Sequence, residues 1–345
     1  MATVAITGAT GHLGSNLIRQ LLDQGDTVRA LVRKPNPPEL RGLAIDTVQG
    51  DVVSGTGLDA LLDGVDVLYH LAAQISIVGP MNGLVEAVNV QGVRNVVEAA
   101  KRAKLPRMVH TCSVHAFSHA PWDQPVDETR RRVKPGDAPA YDISKARGEA
   151  VVREAVADGL DAVIVHPSGV IGPYDYKLSR MGHVLLKLYR RSLPALLPGG
   201  YDFVDARDVS ASMIAAAERG RTNESYLLTG RHHTIIELSK LAERVTGVPR
   251  PKFTAPVFLA RLGAPFMDLA AKVLDGEPLY TSESLIPLQL QHGFDSTKAQ
   301  RELGHTIRPL EDSLRDIYAW HLLEGTIAPK TDHSRALEQH VVSAA

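Results

Sequence analysis

The chain has 345 residues, 44% hydrophobic and 22% charged, with a formal net charge of −1; it can bury a large core and lacks the positive footprint of a nucleic-acid binder. Its one cysteine, Cys112, leaves no internal disulfide and fits a reducing, cytoplasmic setting. The first apolar run is too short for a signal peptide. The most membrane-like stretch, Pro256 to Leu274, carries Arg261, Pro265, Asp268 and Lys272, so no transmembrane segment is expected, only an amphipathic helix that could touch an interface. In chain order, β-branched runs over 4–7, 27–32, 44–48, 65–71, 107–111 and 161–165 read as strands. Helical patterns over 15–24, 83–103 and 141–157 separate several of them. A helix over 209–219, a last strand over 225–229 and a helix over 234–245 follow. Apolar strands alternating with helices predict an α/β fold, a doubly wound parallel Rossmann sheet.

The pattern loosens after Pro167, where residues 171–202 are rich in Gly, Pro and Tyr. The expected organisation is a nucleotide-binding domain of residues 1–170 plus 206–230. A smaller, discontinuous C-terminal substrate domain would comprise 171–205 plus 231–325, and the polar tail, 329–345, is expected to be flexible. The short basic cluster Arg130, Arg131, Arg132 and Lys134 reads as a solvated loop.

Strand one leads into Thr7-Gly8-Ala9-Thr10-Gly11-His12-Leu13-Gly14. Gly8 permits a tight turn, Gly11 lets backbone approach a pyrophosphate, and Gly14 lets helix and strand pack closely. The helix N-terminus then offers free amides to anionic oxygens. Strand two ends without the Asp or Glu that would hold a ribose 2′-hydroxyl. It carries Arg33 and Lys34 instead, which suit a 2′-phosphate, so NADP(H) is favoured over NAD(H). Asp51 and Val52 are placed to meet the adenine, unless Asp51 is a simple turn residue.

Tyr141 and Lys145 stand at i and i+4 on one helical face. A free phenol with a pKa of about 10 exchanges protons poorly at neutral pH, and a nearby cation favours phenolate. Ser113, at the end of strand five, could hold a substrate oxygen. His110, His115 and His119 lack the spacing of a metal site, so no metal is expected. Cys112 reads as a small buried hydrophobe.

These motifs resemble the extended short-chain dehydrogenase/reductase superfamily, and within it the dihydroflavonol-4-reductase-like branch, over residues 2 to about 323. The resemblance implies a catalytic triad of Ser113, Tyr141 and Lys145, with Tyr141 and Lys145 also touching the cofactor. It implies cofactor contacts from the Gly8, Gly11 and Gly14 turn, from Arg33, Asp51 and Val52, and from the strand-four residues Leu71, Ala72 and Ala73 that follow His70. Asn89 would be structural support. Pro167, Ser168 and Val170 would approach the nicotinamide, and the segment 204–209 would lead back to the first domain. Cys112 stands where the family usually has a second serine, and His166 where Arg or Asn is usual. The superfamily also suggests a homodimer built on helices 83–103 and 141–157.

The resulting expectation is an NADP(H)-dependent oxidoreductase acting on a small-molecule carbonyl or alcohol, hydrophobic or aromatic. Ile75, His115, Phe117, Tyr174, Tyr176 and Met181 would form the pocket wall. A nucleotide-sugar epimerase or dehydratase would need cations for a diphosphate, with Arg180, Lys187, Arg190 and Arg191 as candidates. A 3-beta-hydroxysteroid dehydrogenase is a further alternative. A non-catalytic NADP-sensing regulator would have no use for the triad.

Overall fold

The computed structural model describes residues 1–255, 293–340 and 342. Seven parallel strands form the main sheet: β1 (Thr3–Thr7), β2 (Thr27–Val32), β3 (Asp46–Gln49), β4 (Val67–His70), β5 (Arg107–Thr111), β6 (Ala162–Pro167) and β9 (Ser225–Leu228), in the order β3-β2-β1-β4-β5-β6-β9. The order reverses between β1 and β4, which opens the crevice where ligands bind in such sheets. Alternate side chains feed opposite faces. Ala5, Leu68, Met108, Ala162 and Ile164 pack with one set of helices. Val4, Ile6, Tyr69, Val109, Val163 and Val165 join the opposite core.

Helix α1 (His12–Asp23) follows β1, and the short α2 (Leu58–Leu62), which the sequence pattern did not reveal, follows β3. The helix expected over 83–103 is α3, running through Leu84–Glu86, a wider π-type turn at Ala87–Gly92, and Val93–Arg102. In the wide turn a Cβ on Gly92 would lie 3.0 Å from the Val52 side chain. Next is α4 (Ala140–Ala157), whose Gly148 lets the Asn89 carbonyl approach to 2.3 Å from where a Cβ would stand. The two helices are thereby locked together at close range.

A second, three-stranded sheet was not foreseen. In it β8 (Gly200–Asp205) pairs in parallel with β7 (Gly169–Ile171) and antiparallel with β10 (Arg231–Thr234). Its strands are short and lack strict alternation, so the sequence hid them. It packs with α5 (Arg180–Arg190), α7 (Ile235–Thr246) and α9 (Leu310–Leu323) into a third core built on Leu185, Tyr189, Leu238, Leu314 and Tyr318. Between the sheets runs α6 (Ala206–Arg219), and α8 (Thr297–Leu303) packs beside it. Arg207, fully buried, donates to both Asp205 oxygens and to Asp316, tying β8, α6 and α9 together. A buried guanidinium is tolerated only with such pairing.

The tail departs from expectation. Residues Asp332–Leu337 form α10, capped by Thr331, and Leu337 is buried in the third core. A hydroxyl cap and one apolar anchor hold it despite its polar composition. The Pro256 to Leu274 segment lies outside the described residues. No described helix is long and apolar enough to cross a membrane.

Candidate active site

The glycine turn sits at the carboxyl edge of β1. Gly8 has φ +78°, and a Cβ there would stand 2.7 Å from the backbone of Leu71 and Ala72. A Cβ on Gly14 would be 2.4 Å from the Gly8 carbonyl, so α1 rests directly on the turn. No side chain caps α1 at Gly11, which leaves the leading amides, those of His12 and Leu13, for an anion. The Lys177 ammonium donates to Thr10 Oγ1 at 2.7 Å and pairs with Glu39 at 3.3 Å, adding a cation over the same turn. Glycine backbone, uncapped amides and a lysine together fit a dinucleotide pyrophosphate. The His12 ring itself faces elsewhere, with Nε2 3.1 Å from the carbonyls of Gly172 and Pro173.

Further along the edge, Ser113 follows β5 and caps a short turn, its Oγ accepting the His115 amide at 3.2 Å. Tyr141 begins α4 and is hydrogen-bonded to Ser113. Burial raises the phenol pKa above its ordinary value, and the Ser113 bond works against that rise. Lys145, one turn on and buried, donates to the Thr111 carbonyl at 2.8 Å. Burial lowers its pKa, with Cys112 and Glu149 pulling the other way. Beneath Lys145 the His70 and His110 rings stack at 5.3 Å, and burial first, then Lys145, pushes His70 down to about 3.

Under Ser113 lies a buried polar network. The Glu149 carboxylate accepts from Arg132 at 2.8 Å and from Arg153 at 2.9 Å, and both arginines donate to Ser225 Oγ. His166 bridges Ser225 Oγ at 3.0 Å and the Ser113 carbonyl at 3.2 Å. Burial opposes charge on Glu149, but His166, Arg132 and Arg153 outweigh it and hold its pKa at about 2. Burial pushes the Cys112 thiol up to about 12. Donor atoms of Cys112, Glu149 and His166 lie within 4.8 Å of one another. Both Glu149 oxygens are nonetheless taken by guanidinium groups, so the cluster reads as a satisfied ionic network.

Above Tyr141 opens a cavity of about 510 Å³. Ile75, Ile77, Trp122, Val170, Met181 and Val184 give it an apolar wall, and His115, Asp142 and Arg180 are among its polar groups, with Ser118, His119, Arg131 and Asp137. His115 Nδ1 stands 3.2 Å from Asp142. Burial works against charging this ring, but Asp142 prevails and raises its pKa.

A family model described as the NAD dependent epimerase/dehydratase family matches residues 4–229, well over half of the chain. The chain belongs to that family. Its members and relatives are oxidoreductases and epimerases, and this family protein is accordingly an enzyme. It is 36% identical over 330 residues to sterol demethylase protein B of Methylococcus capsulatus (strain Bath), covering 94% of this chain and 100% of the relative. It is 33% identical over 327 residues to a candidate dihydroflavonol 4-reductase of Synechocystis sp., covering 93% and 95%. The crystal structure of gox2253 superposes with a TM-score of 0.81 at 30% identity, covering 95% of this chain and 100% of that one.

Within this epimerase/dehydratase frame, the structure gathers Ser113, Tyr141 and Lys145 at one edge and puts Ile75, His115, Met181 and Val170 around the cavity. Other expected residues are elsewhere. Phe117 is fully buried, edge-on to His166 and under the Arg132 guanidinium at 3.8 Å, so it is core and not pocket wall. Tyr174 and Tyr176 turn away to pack on Arg19 and Trp320, because the Pro173 carbonyl is held by Asn16 on α1. Ser168 Oγ donates to Asp202. Asp51 Oδ1 accepts the Val53 amide at 2.7 Å, the turn reading, and Val52 is buried in the core. Arg33 and Lys34 are exposed and make no ion pair among the described residues. Ala73 is exposed beside Ala72. Of the four candidate diphosphate cations, Arg180 alone is among the residues found lining the cavity.

Within the basic cluster Arg132 departs from the solvated-loop reading, while Arg131 and Lys134 are exposed in a loop. Arg130 donates to the carbonyls of Pro121, Gln124 and Pro125, Arg131 pairs with Asp137, and Arg132 is the Glu149 partner. Sequence reading also missed Lys177, Asp142 and Trp122. The first two had a signal: a lysine in the loop after the β6 motif, and an acid next to the tyrosine.

Proposed function

We propose that this family member is an NADP(H)-dependent carbonyl reductase or alcohol dehydrogenase, working through Ser113, Tyr141 and Lys145 on a hydrophobic or aromatic substrate. The observation that carries this reading is the Tyr141–Ser113 hydrogen bond, with Tyr141 on the wall of a largely apolar cavity. In this reading residues 1–170 plus 206–230 hold the cofactor, and 171–205 plus 231–325 shape the substrate side.

When bound, the nicotinamide supplies or accepts the hydride. Tyr141 gives a proton to the carbonyl oxygen, or takes one from the hydroxyl in reverse. Ser113 donates a hydrogen bond to that oxygen as negative charge develops on it. Lys145, buried one helical turn on and donating to the Thr111 carbonyl, would offer a further proton of Nζ to a ribose hydroxyl of the bound cofactor. Arg33 and Lys34, free on the surface beyond β2, pair with a 2′-phosphate. The helices α3 and α4 are the surface on which a homodimer would form.

The test follows the absorbance of reduced nicotinamide with NADPH and with NADH across a panel of aldehydes, ketones and flavanonols. Substrate-dependent loss of NADPH that vanishes in Tyr141→Phe supports the reading. Conversion of a nucleotide sugar, with no carbonyl turned over, replaces it.

A further inference from the structure

Beside the triad stands a second pair of side chains that the reaction as written does not use. His115 Nδ1 lies 3.2 Å from Asp142 Oδ1, and the His115 ring meets the Tyr141 ring edge-on at 5.8 Å. A carboxylate can only accept, so the ring keeps its proton on Nδ1, and Nε2 on the opposite side becomes its remaining polar atom. Nε2 has no hydrogen-bond partner among the described residues, and the side chain keeps 36% of its surface on the cavity wall. Asp142 is itself only 14% exposed, in the first turn of α4, where the helix dipole favours its charge. The pair is anchored at both ends, because the His115 amide donates to Ser113 Oγ. Ser113, Tyr141 and His115 are thus hydrogen-bonded or packed to one another, with Tyr141 and His115 on the wall of a largely apolar space.

We propose that His115 is a specificity-determining residue. Its Nε2 accepts a hydrogen bond from a hydroxyl of the substrate, close to the carbon that Tyr141 serves. Resting on the proposed carbonyl chemistry, this narrows the substrate class to apolar molecules bearing two oxygen functions at one end, such as a hydroxyketone or its diol. The geometry explains the need for Asp142. Without a fixed tautomer the imidazole could turn either pole to the cavity, and a buried polar group left unpaired by a mono-oxygenated substrate is what makes such a site discriminate. With the two ring centroids 5.8 Å apart, both oxygens belong to one end of the substrate.

Benzoin and deoxybenzoin make the test, since they differ only in a hydroxyl beside the carbonyl. The wild-type protein is expected to favour benzoin by roughly tenfold in kcat/KM, the worth of one added hydrogen bond. In His115→Phe, which keeps a ring of similar size, the ratio collapses to near one; in His115→Gln, whose amide reaches the same region, part of it returns. The ratio is read within each variant, so a general loss of activity does not obscure it. Dissociation constants for both compounds, measured by calorimetry with NADP⁺ present, give the same ratio without turnover. Failure to turn over either compound, with the affinity ratio intact, would sink the carbonyl-reductase reading and leave the His115 contact standing. A ratio near one in the wild type, a ratio unchanged in His115→Phe, or no binding of either compound overturns the proposal.

Discussion

The two sides of the candidate site are built on opposite principles. The floor, under Ser113 and α4, is polar and closed: Glu149 is 1% exposed in its side chain, two arginines and a histidine surround it, and their hydrogen bonds run to Ser225 and the Ser113 carbonyl. The roof is apolar and open, with Ile75 62% and Trp122 60% exposed at the cavity mouth. A buried ionic network tolerates few alternative geometries, because every unmet charge costs several kcal/mol. An apolar rim tolerates many. The contrast teaches that the surroundings of Ser113 are fixed by electrostatics, whereas the apolar rim of the cavity can be altered cheaply.

The sharpest way to break this comparison is at the floor's own chemistry. Tyr141→Phe should lower carbonyl turnover by roughly a hundredfold to ten-thousandfold in the nicotinamide assay, with the fold retained by circular dichroism. Residual activity within tenfold of the wild type would remove Tyr141 from its assigned role.

Next comes the network. Glu149→Gln leaves two guanidinium groups uncompensated and should cost about 3 kcal/mol in urea unfolding, at the low end for a broken buried pair because both arginines are partly exposed. The pH sense follows from the depressed pKa. Glu149 contributes stability above the ordinary carboxylate range, and the contribution fades as pH falls toward about 2. The gap between wild type and Glu149→Gln should therefore be full at pH about 7 and shrink markedly by pH about 3. An equal gap at both pH values would place the cost in packing, not in charge.

At the cofactor end, Arg33→Glu should reduce kcat/KM for NADPH by roughly tenfold to a hundredfold while sparing NADH, the loss of one charge-assisted contact. Equal losses for both cofactors would show that Arg33 does not read the 2′-phosphate. The smallest effect belongs to the roof. Trp122→Ala should change stability by less than about 0.5 kcal/mol and raise KM for a bulky aromatic ketone roughly threefold, with kcat nearly constant. A large stability loss would mean that the rim is core after all.

Much of the floor's skeleton was legible. Gly8, Gly11 and Gly14 announced a strand-turn-helix cradle, and at Gly8 and Gly14 only glycine fits the approaches measured there. Tyr141 and Lys145 announced a shared helical face. Phe117, Tyr174 and Tyr176 were misplaced because an aromatic side chain near a motif has no local sign of which way it points; a guanidinium of Arg132 or Arg19, far along the chain, made that choice. Arg132 looked like loop charge because its partner Glu149 lies a helix away.

The sequence by itself determined the strand and helix alternation, the parallel sheet and the cradle, since these rest on periodicity and on backbone freedom at single glycines, which are local properties. Only the tertiary structure decided the second sheet, the docking of the tail helix, the ionic floor beneath Ser113 and the pairing of His115 with Asp142. Each of these depends on the low dielectric and close packing that appear when segments distant in the chain meet, and no local pattern encodes that meeting.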